Sequence, residues 1–267
     1  MAGPLTPRPG PDSSPEDQRR YWVDVALTAS LRARAITWPA LLAAIVAAHL
    51  AVTWRMIGNG KGPILALVGS RGPKLLVAVG ALTDHALFDG ASWRLITALF
   101  LHGDGLHLLL NGLALMGLGS LCEAVFGPAR LLALFVICGV AGGLCSSLGG
   151  VEVSVGASGA LFGWMGAALS FGWRYGAVLP HDVSALLRRQ LLPWAALNVG
   201  VGFLLPFLDW RAHLGGLFAG LILGATLGNR VVPGAESARG WRIAAALCSL
   251  AVIALAVAGL ARSAGMR

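Results

Sequence analysis

Apolar runs long enough to cross a bilayer recur along this chain, and they limit what it can fold into more than anything else in it. A membrane-spanning helix needs about 20 consecutive, mainly apolar residues. Runs of this kind occupy residues 36–57, 98–122, 129–148, 157–173, 190–208, 212–228 and 241–260. They come as blocks, without the alternation of a half-buried strand or the single stripe of a surface helix. Composition agrees: 57% of the residues are hydrophobic and 12% are charged, against about a quarter charged in soluble domains. The blocks predict an all-α polytopic membrane protein, because a helix satisfies its own backbone in hydrocarbon. The 37 glycines fit that class, since glycine lets membrane helices approach closely.

The chain divides into three parts. Residues 1–35, beginning MAGPLTPRPGPDSSPEDQRR, are Pro-rich and charged and read as a disordered N-terminal tail with no cleavable signal. Residues 36–228 hold six spans, with a long first loop at 58–97. Within that loop, ILALVG and LLVAVGAL are too short to cross and fit an interfacial or partly inserted segment. Residues 229–267 supply a linker and a seventh span.

The net charge is +8, and the arginines sit mostly at the ends of apolar runs. That placement suits anionic lipid headgroups, and no nucleic-acid-binding motif is present. Loop arginines also orient the chain. With the N-terminus cytoplasmic, the inner loops after the second span carry Arg130, Arg174, Arg188, Arg189, Arg230, Arg239 and Arg242. The two short outer loops carry only Arg211, while the long first loop dissents with Lys61, Arg71, Lys74 and Arg94 outside. The Ala/Gly/Leu/Arg-rich composition points to a bacterial inner membrane, a mitochondrial one being the alternative. Cys122, Cys138, Cys145 and Cys248 lack metal-ligand spacing and read as small buried packing residues.

Against this apolar background, polar groups at the mouths of spans stand out. The second span opens FLHGDGLHLLLNG, giving His102, His107 and Asn111; the fourth opens with Ser158; the sixth opens AHLGGLFAG, giving His213. Ionisable residues in a membrane are costly and mark function by default. These three spans run in the same direction, so all five residues share one side of the membrane and a similar depth.

Their chemistry points to acyl transfer. A serine hydroxyl is a weak nucleophile until a base takes its proton, and imidazole titrates near neutral pH. Ser158 and His213 are read as one to two residues into their helices, so they can meet if the helices touch. Gly156, Gly159 and Gly163 on one side, and Gly216 and Gly220 as a GxxxG pair on the other, permit that contact. His107 and Asn111 are four residues apart and share a helical face. With the Ser158 N–H they could form an oxyanion hole. Read as helical, His102 would lie about 140° round from His107, across the mouth.

Three segments together resemble the signatures of the rhomboid intramembrane serine proteases: SWRLITALFLHGDGLHLLLNG at 92–112, GASGALFG at 156–163 and AHLGGLFAG at 212–220. The resemblance covers roughly residues 36–228. It implies a six-helix rhomboid-like core, here with a seventh C-terminal transmembrane helix, as in part of the family. By resemblance Ser158 is the nucleophile and His213 the general base of a dyad. His107 and Asn111 are oxyanion partners, and His102 is structural or auxiliary. Trp93 and Arg94 match a Trp-Arg pair that rests in the bilayer, and Glu123 a structural glutamate. Phe162 stands where some members have tyrosine and can still pack on the imidazole. The first loop departs from the family, with extra residues at 60–76.

The implied activity is hydrolysis of peptide bonds in or near transmembrane segments of other proteins, with single-span proteins entering from lipid as substrates. No cofactor or metal is implied, and oligomeric state is left open. Two rivals are a catalytically dead relative that binds membrane helices and a transporter using the histidines as a proton relay. The retained serine and histidine count against the first. The second predicts paired carboxylates and repeat symmetry, which the sequence lacks. His49 reads as packed or snorkelling, His85 and His181 as solvated loop residues, and Asp104 as facing water.

Overall fold

The computed structural model describes residues 8–84, 86–204 and 208–235, with positions 243, 247, 248 and 250. His85 and most of the seventh candidate span fall outside these residues. Among the described residues the elements are helical, apart from one isolated bridge between Leu82 and Ser154. The helices are α1 (Pro15–Arg32), α2 (Thr37–Gly58), α3 (Pro63–Val68), α4 (Pro73–Val79), α5 (Arg94–Thr97), α6 (Gly105–Phe126), α7 (Pro128–Leu148), α8 (Ser158–Tyr175), α9 (His181–Ala185), α10 (Leu191–Leu204) and α11 (Trp210–Thr226).

Among the described residues three helical stretches are long and apolar enough to cross a membrane by length and composition: the joined stretch Pro15–Gly58, then Gly105–Phe126 and Pro128–Leu148. On α6 one face carries Leu106, Leu110 and Leu113, each more than half exposed, while Asn111, Leu115, Gly119 and Cys122 turn inward. Bare leucines along one face match a lipid environment, and the chain is an integral membrane protein. The helices α8, α10 and α11 are shorter, at 18, 14 and 17 residues.

The tail expected to be disordered instead forms α1 from Pro15 onward. Its start carries a full set of helix signals: the Ser14 side chain accepts from Asp17 N–H at 3.1 Å, Pro15 opens the first turn, and Glu16 and Asp17 follow. Val23 and Leu27 are buried beneath it. Both of its ends meet the same face of the molecule. Arg20 donates to the Ala177 carbonyl just past α8 (2.9 Å), and beyond the other end Ile36 N–H donates to Glu123 near the end of α6 (2.8 Å). The helix therefore lies across the C-terminal ends of α6 and α8. Glu123 also accepts from Thr37 N–H and Trp38 N–H at 2.9–3.1 Å, capping α2 from a neighbouring helix.

The first loop is a folded unit. It holds α3, α4 and α5, and its Leu82 pairs with Ser154 in the segment leading to α8. Two of its four dissenting cations are internal ties. Arg94 donates to the Val77 and Ala81 carbonyls at 2.6 and 2.8 Å and lies 4.7 Å over the Trp93 ring. Arg71 is 3% exposed and tied to α2 and to the approach to α6. Burial draws its pKa below the usual guanidinium range, with the charge of Asp104 opposing the shift.

The core sits among α6, α7 and α8, filled by Phe126, Phe135, Trp164 and Phe171. Beside it, α8 and α11 pack backbone to backbone. A Cβ on Gly216 would run into the Gly159 carbonyl, one on Gly220 into the Gly163 carbonyl, and one on Gly224 into Ala167. Only glycine allows this approach.

Candidate active site

The site is built where α8 begins. Gly156 has φ +119°, a conformation that side-chain-bearing residues rarely adopt, and its N–H donates to the Ala98 carbonyl at 2.9 Å. This turn delivers Ser158 as the first residue of α8, with its hydroxyl half-buried at the helix N-terminus. Backbone N–H groups at a helix start lack intrahelical partners and can face a developing negative charge.

His213 comes from α11. That helix starts at Trp210, two residues earlier than the apolar run indicated, because the Asp209 side chain caps it by accepting from Ala212 N–H at 3.1 Å. His213 therefore lies a full turn inside its helix. The close α8–α11 crossing still brings its Nε2 to 2.9 Å from Ser158 Oγ. The imidazole is 5% exposed and stacks on Phe162, with centroids 4.2 Å apart and planes 10° apart. Its Nδ1 is buried and meets no hydrogen-bond partner among the described residues. The carboxylate of Asp209, one turn away, takes the Ala212 N–H and the Ser146 hydroxyl instead. Among the described residues the arrangement is a pair of groups with no third member.

His107 and Asn111 approach from α6. Asp104 caps this helix, accepting from His107 N–H at 2.7 Å, so Asp104 faces the backbone it caps. A Cβ on Gly156 would lie 2.8 Å from His107 Nε2 and 3.9 Å from Asn111 Nδ2. Both side chains thus abut the turn that carries Ser158, and Asn111 Nδ2 donates to the His107 carbonyl at 3.0 Å.

The helix α6 begins at Gly105, later than expected. Residues 98–100 form a separate 3-10 turn and Leu101 is extended. His102 therefore precedes the helix, and the expected 140° separation does not apply. Its ring packs edge-on against His107, centroids 5.0 Å apart, and is 2% exposed. Sequence reasoning had no role for Asp209 or for Arg71. The first was marked by its position just before an apolar run, an N-cap signal; the second carried none.

His49 is buried, with Nδ1 2.8 Å from Arg71 Nη1 and Nε2 2.9 Å from the Leu67 carbonyl, a packed residue tied to the first loop. His181 is exposed. Cys122 and Cys138 are buried; Cys145, near the end of α7, is exposed although its Sγ lies against Gly215 of α11. No group of three or more His, Cys, Asp or Glu that could hold a metal occurs among the described residues.

The Rhomboid domain family model matches residues 89–230. The chain is 44% identical to RHOMBOID-like protein 5 of Arabidopsis thaliana over 161 residues, covering 58% of this chain and 51% of that protein. It is 33% identical to rhomboid protease GluP of Bacillus subtilis over 160 residues, covering 60% and 31%. It is 32% identical to Rhomboid-like protease 5 of Toxoplasma gondii over 161 residues, covering 60% and 19%. The chain spans about half, or less, of the length of these relatives.

Proposed function

The chain belongs to the rhomboid family, and from that premise we propose that it is an intramembrane serine endopeptidase working through a Ser158–His213 dyad. The observation that carries this reading is the 2.9 Å contact between Ser158 Oγ and His213 Nε2, made across two glycine-packed helices. In the proposed reaction Ser158 Oγ attacks a peptide carbonyl carbon as its proton passes to His213 Nε2. The Ser158 N–H, with His107 and Asn111 beside the Gly156 turn, faces the oxygen that becomes negative. His213 then returns the proton to the leaving amine. Water, deprotonated in turn by His213, hydrolyses the acyl ester and frees Ser158. Phe162 holds the imidazole plane throughout.

The proposed core comprises α2, α6, α7, α8, α10 and α11, followed by a seventh helix. The arginine distribution supports an N-terminus on the cytoplasmic side of a bacterial inner membrane, with the site near the opposite face. The proposed substrates are single-span membrane proteins entering from lipid. A segment with small or helix-breaking residues near its outer end suits the site, because a regular helix keeps its carbonyls hydrogen-bonded.

The test uses the full chain in detergent or vesicles. A fluorophosphonate probe is expected to label the wild type and neither Ser158→Ala nor His213→Ala. Cleavage of tagged single-span proteins is expected to fall at least about 10³-fold in either variant, since nucleophile and base act as one unit. A folded wild type that resists labelling would return the reading to a helix-binding relative without activity.

A further inference from the structure

We infer that Arg71, in the extended first loop, is a positioning residue for the site: it anchors the backbone of His102 and Gly103 and thereby fixes both the place and the tautomer of His107. The role rests on the protease reading above.

Arg71 lies between α3 and α4, and its guanidinium bridges two segments, α2 and the approach to α6. Nη1 donates to the His102 carbonyl at 3.1 Å, and Nη2 donates to Thr53 Oγ1 at 2.9 Å and to the His49 carbonyl at 3.3 Å. Its backbone N–H donates to the Gly103 carbonyl at 2.8 Å. None of these partners is a carboxylate. A buried guanidinium held by neutral acceptors is costly, and a loop needing only to stay closed could be tied by apolar packing. What the planar fork adds is a fixed geometry across several acceptors at once.

The segment it holds stands directly against the site. Neither ring nitrogen of His102 meets a side-chain hydrogen-bond partner among the described residues; the polar contact the ring makes is with the Phe100 backbone. Packing and the backbone alone therefore orient that ring, and it lies edge-on to His107. Gly103 is gripped from both sides. Its carbonyl accepts from Arg71 N–H, and its own N–H points to His107 Nδ1 at 3.5 Å. A nitrogen that accepts a hydrogen bond carries no proton in neutral imidazole. The proton then sits on His107 Nε2, the nitrogen that faces the Gly156 turn. An oxyanion partner needs its donor on that side.

A double-mutant cycle tests the role, because a loop tie that merely stabilises the fold does not couple to His107. Arg71→Met is expected to lower kcat by roughly 10- to 100-fold, as for a slightly misplaced catalytic donor, with KM unchanged within about twofold. In a His107→Ala background the same substitution is expected to change kcat by less than about twofold. Arg71→Lys keeps a buried cation without the fork, and it carries the same cycle if the Met variant does not fold. Additive losses, or a lower melting temperature with unchanged kcat, overturn the role. If the wild type labels at Ser158 and the cycle is additive, only the role of Arg71 falls. If the wild type neither labels nor cleaves, the proposed function falls and this role with it.

Discussion

His213 is held on two sides by contacts of different kinds, the Ser158 hydroxyl at its Nε2 and the Phe162 ring on its face. The stacking fixes the imidazole plane without a hydrogen bond, which matters because Nδ1 has no partner among the described residues to orient it. Phe162→Ala is expected to lower kcat by roughly 3- to 10-fold, the kinetic equivalent of an aromatic contact of about 0.5–1.5 kcal/mol; Phe162→Tyr keeps the ring and should stay near wild type. Steady-state cleavage rates check this. Glu123 acts at the same scale but far from the chemistry. One carboxylate takes three N–H groups at the start of α2. Glu123→Ala is expected to destabilise the protein by about 2 kcal/mol, seen as a lower melting temperature with fluorophosphonate labelling intact at low temperature.

Among the elements, the α8–α11 pair decides whether Ser158 and His213 meet. Ser158 and His213 differ in their depth along their helices, and the backbone contact through Gly159, Gly163, Gly216 and Gly220 closes the gap. Gly216→Val puts a branched side chain against the Gly159 carbonyl. Overpacking of this kind costs about 1–3 kcal/mol or more, and here it also parts Ser158 from His213. The labelling rate is expected to fall at least about tenfold, a loss larger than that of Gly117→Val on α6. Gly117 has open space around it, so that substitution is the control.

At the scale of the whole molecule, the helix directions separate two faces. Ser158, Asp104 and Asp209 mark the starts of α8, α6 and α11 on one face, while α1 lies across the opposite one. With Cys145→Ser as background, a cysteine placed at exposed Glu152 is expected to react with a membrane-impermeant maleimide on intact cells. One placed at exposed Asp12 is expected to react only after permeabilisation. The reverse pattern would invert the proposed orientation. Half of the first loop's dissent from the arginine rule is accounted for at this scale, with Lys61 and Lys74 remaining exposed. Arg71 and Arg94 are bound internally, and a cation satisfied within the protein says little about which side its loop occupies.

The apolar runs by themselves determined the helical membrane class, because burying a backbone in hydrocarbon leaves few alternatives. The order of Ser158, His213, His107 and Asn111 along the chain was enough to single them out, since polar groups at span mouths are rare against such a background. Helix starts were less legible: Ser14, Asp104 and Asp209 each moved a boundary, and capping depends on a few side-chain contacts that hydrophobicity does not register. Only the tertiary structure decided that His213 reaches Ser158 from one turn inside α11, and that Glu123 caps a helix it does not belong to. It alone turned Arg71 from a loop charge into a buried tie between α2 and the approach to α6. Each of these depends on contacts between segments distant in sequence, where the geometry of the crossing, and not the residue type, sets what touches what.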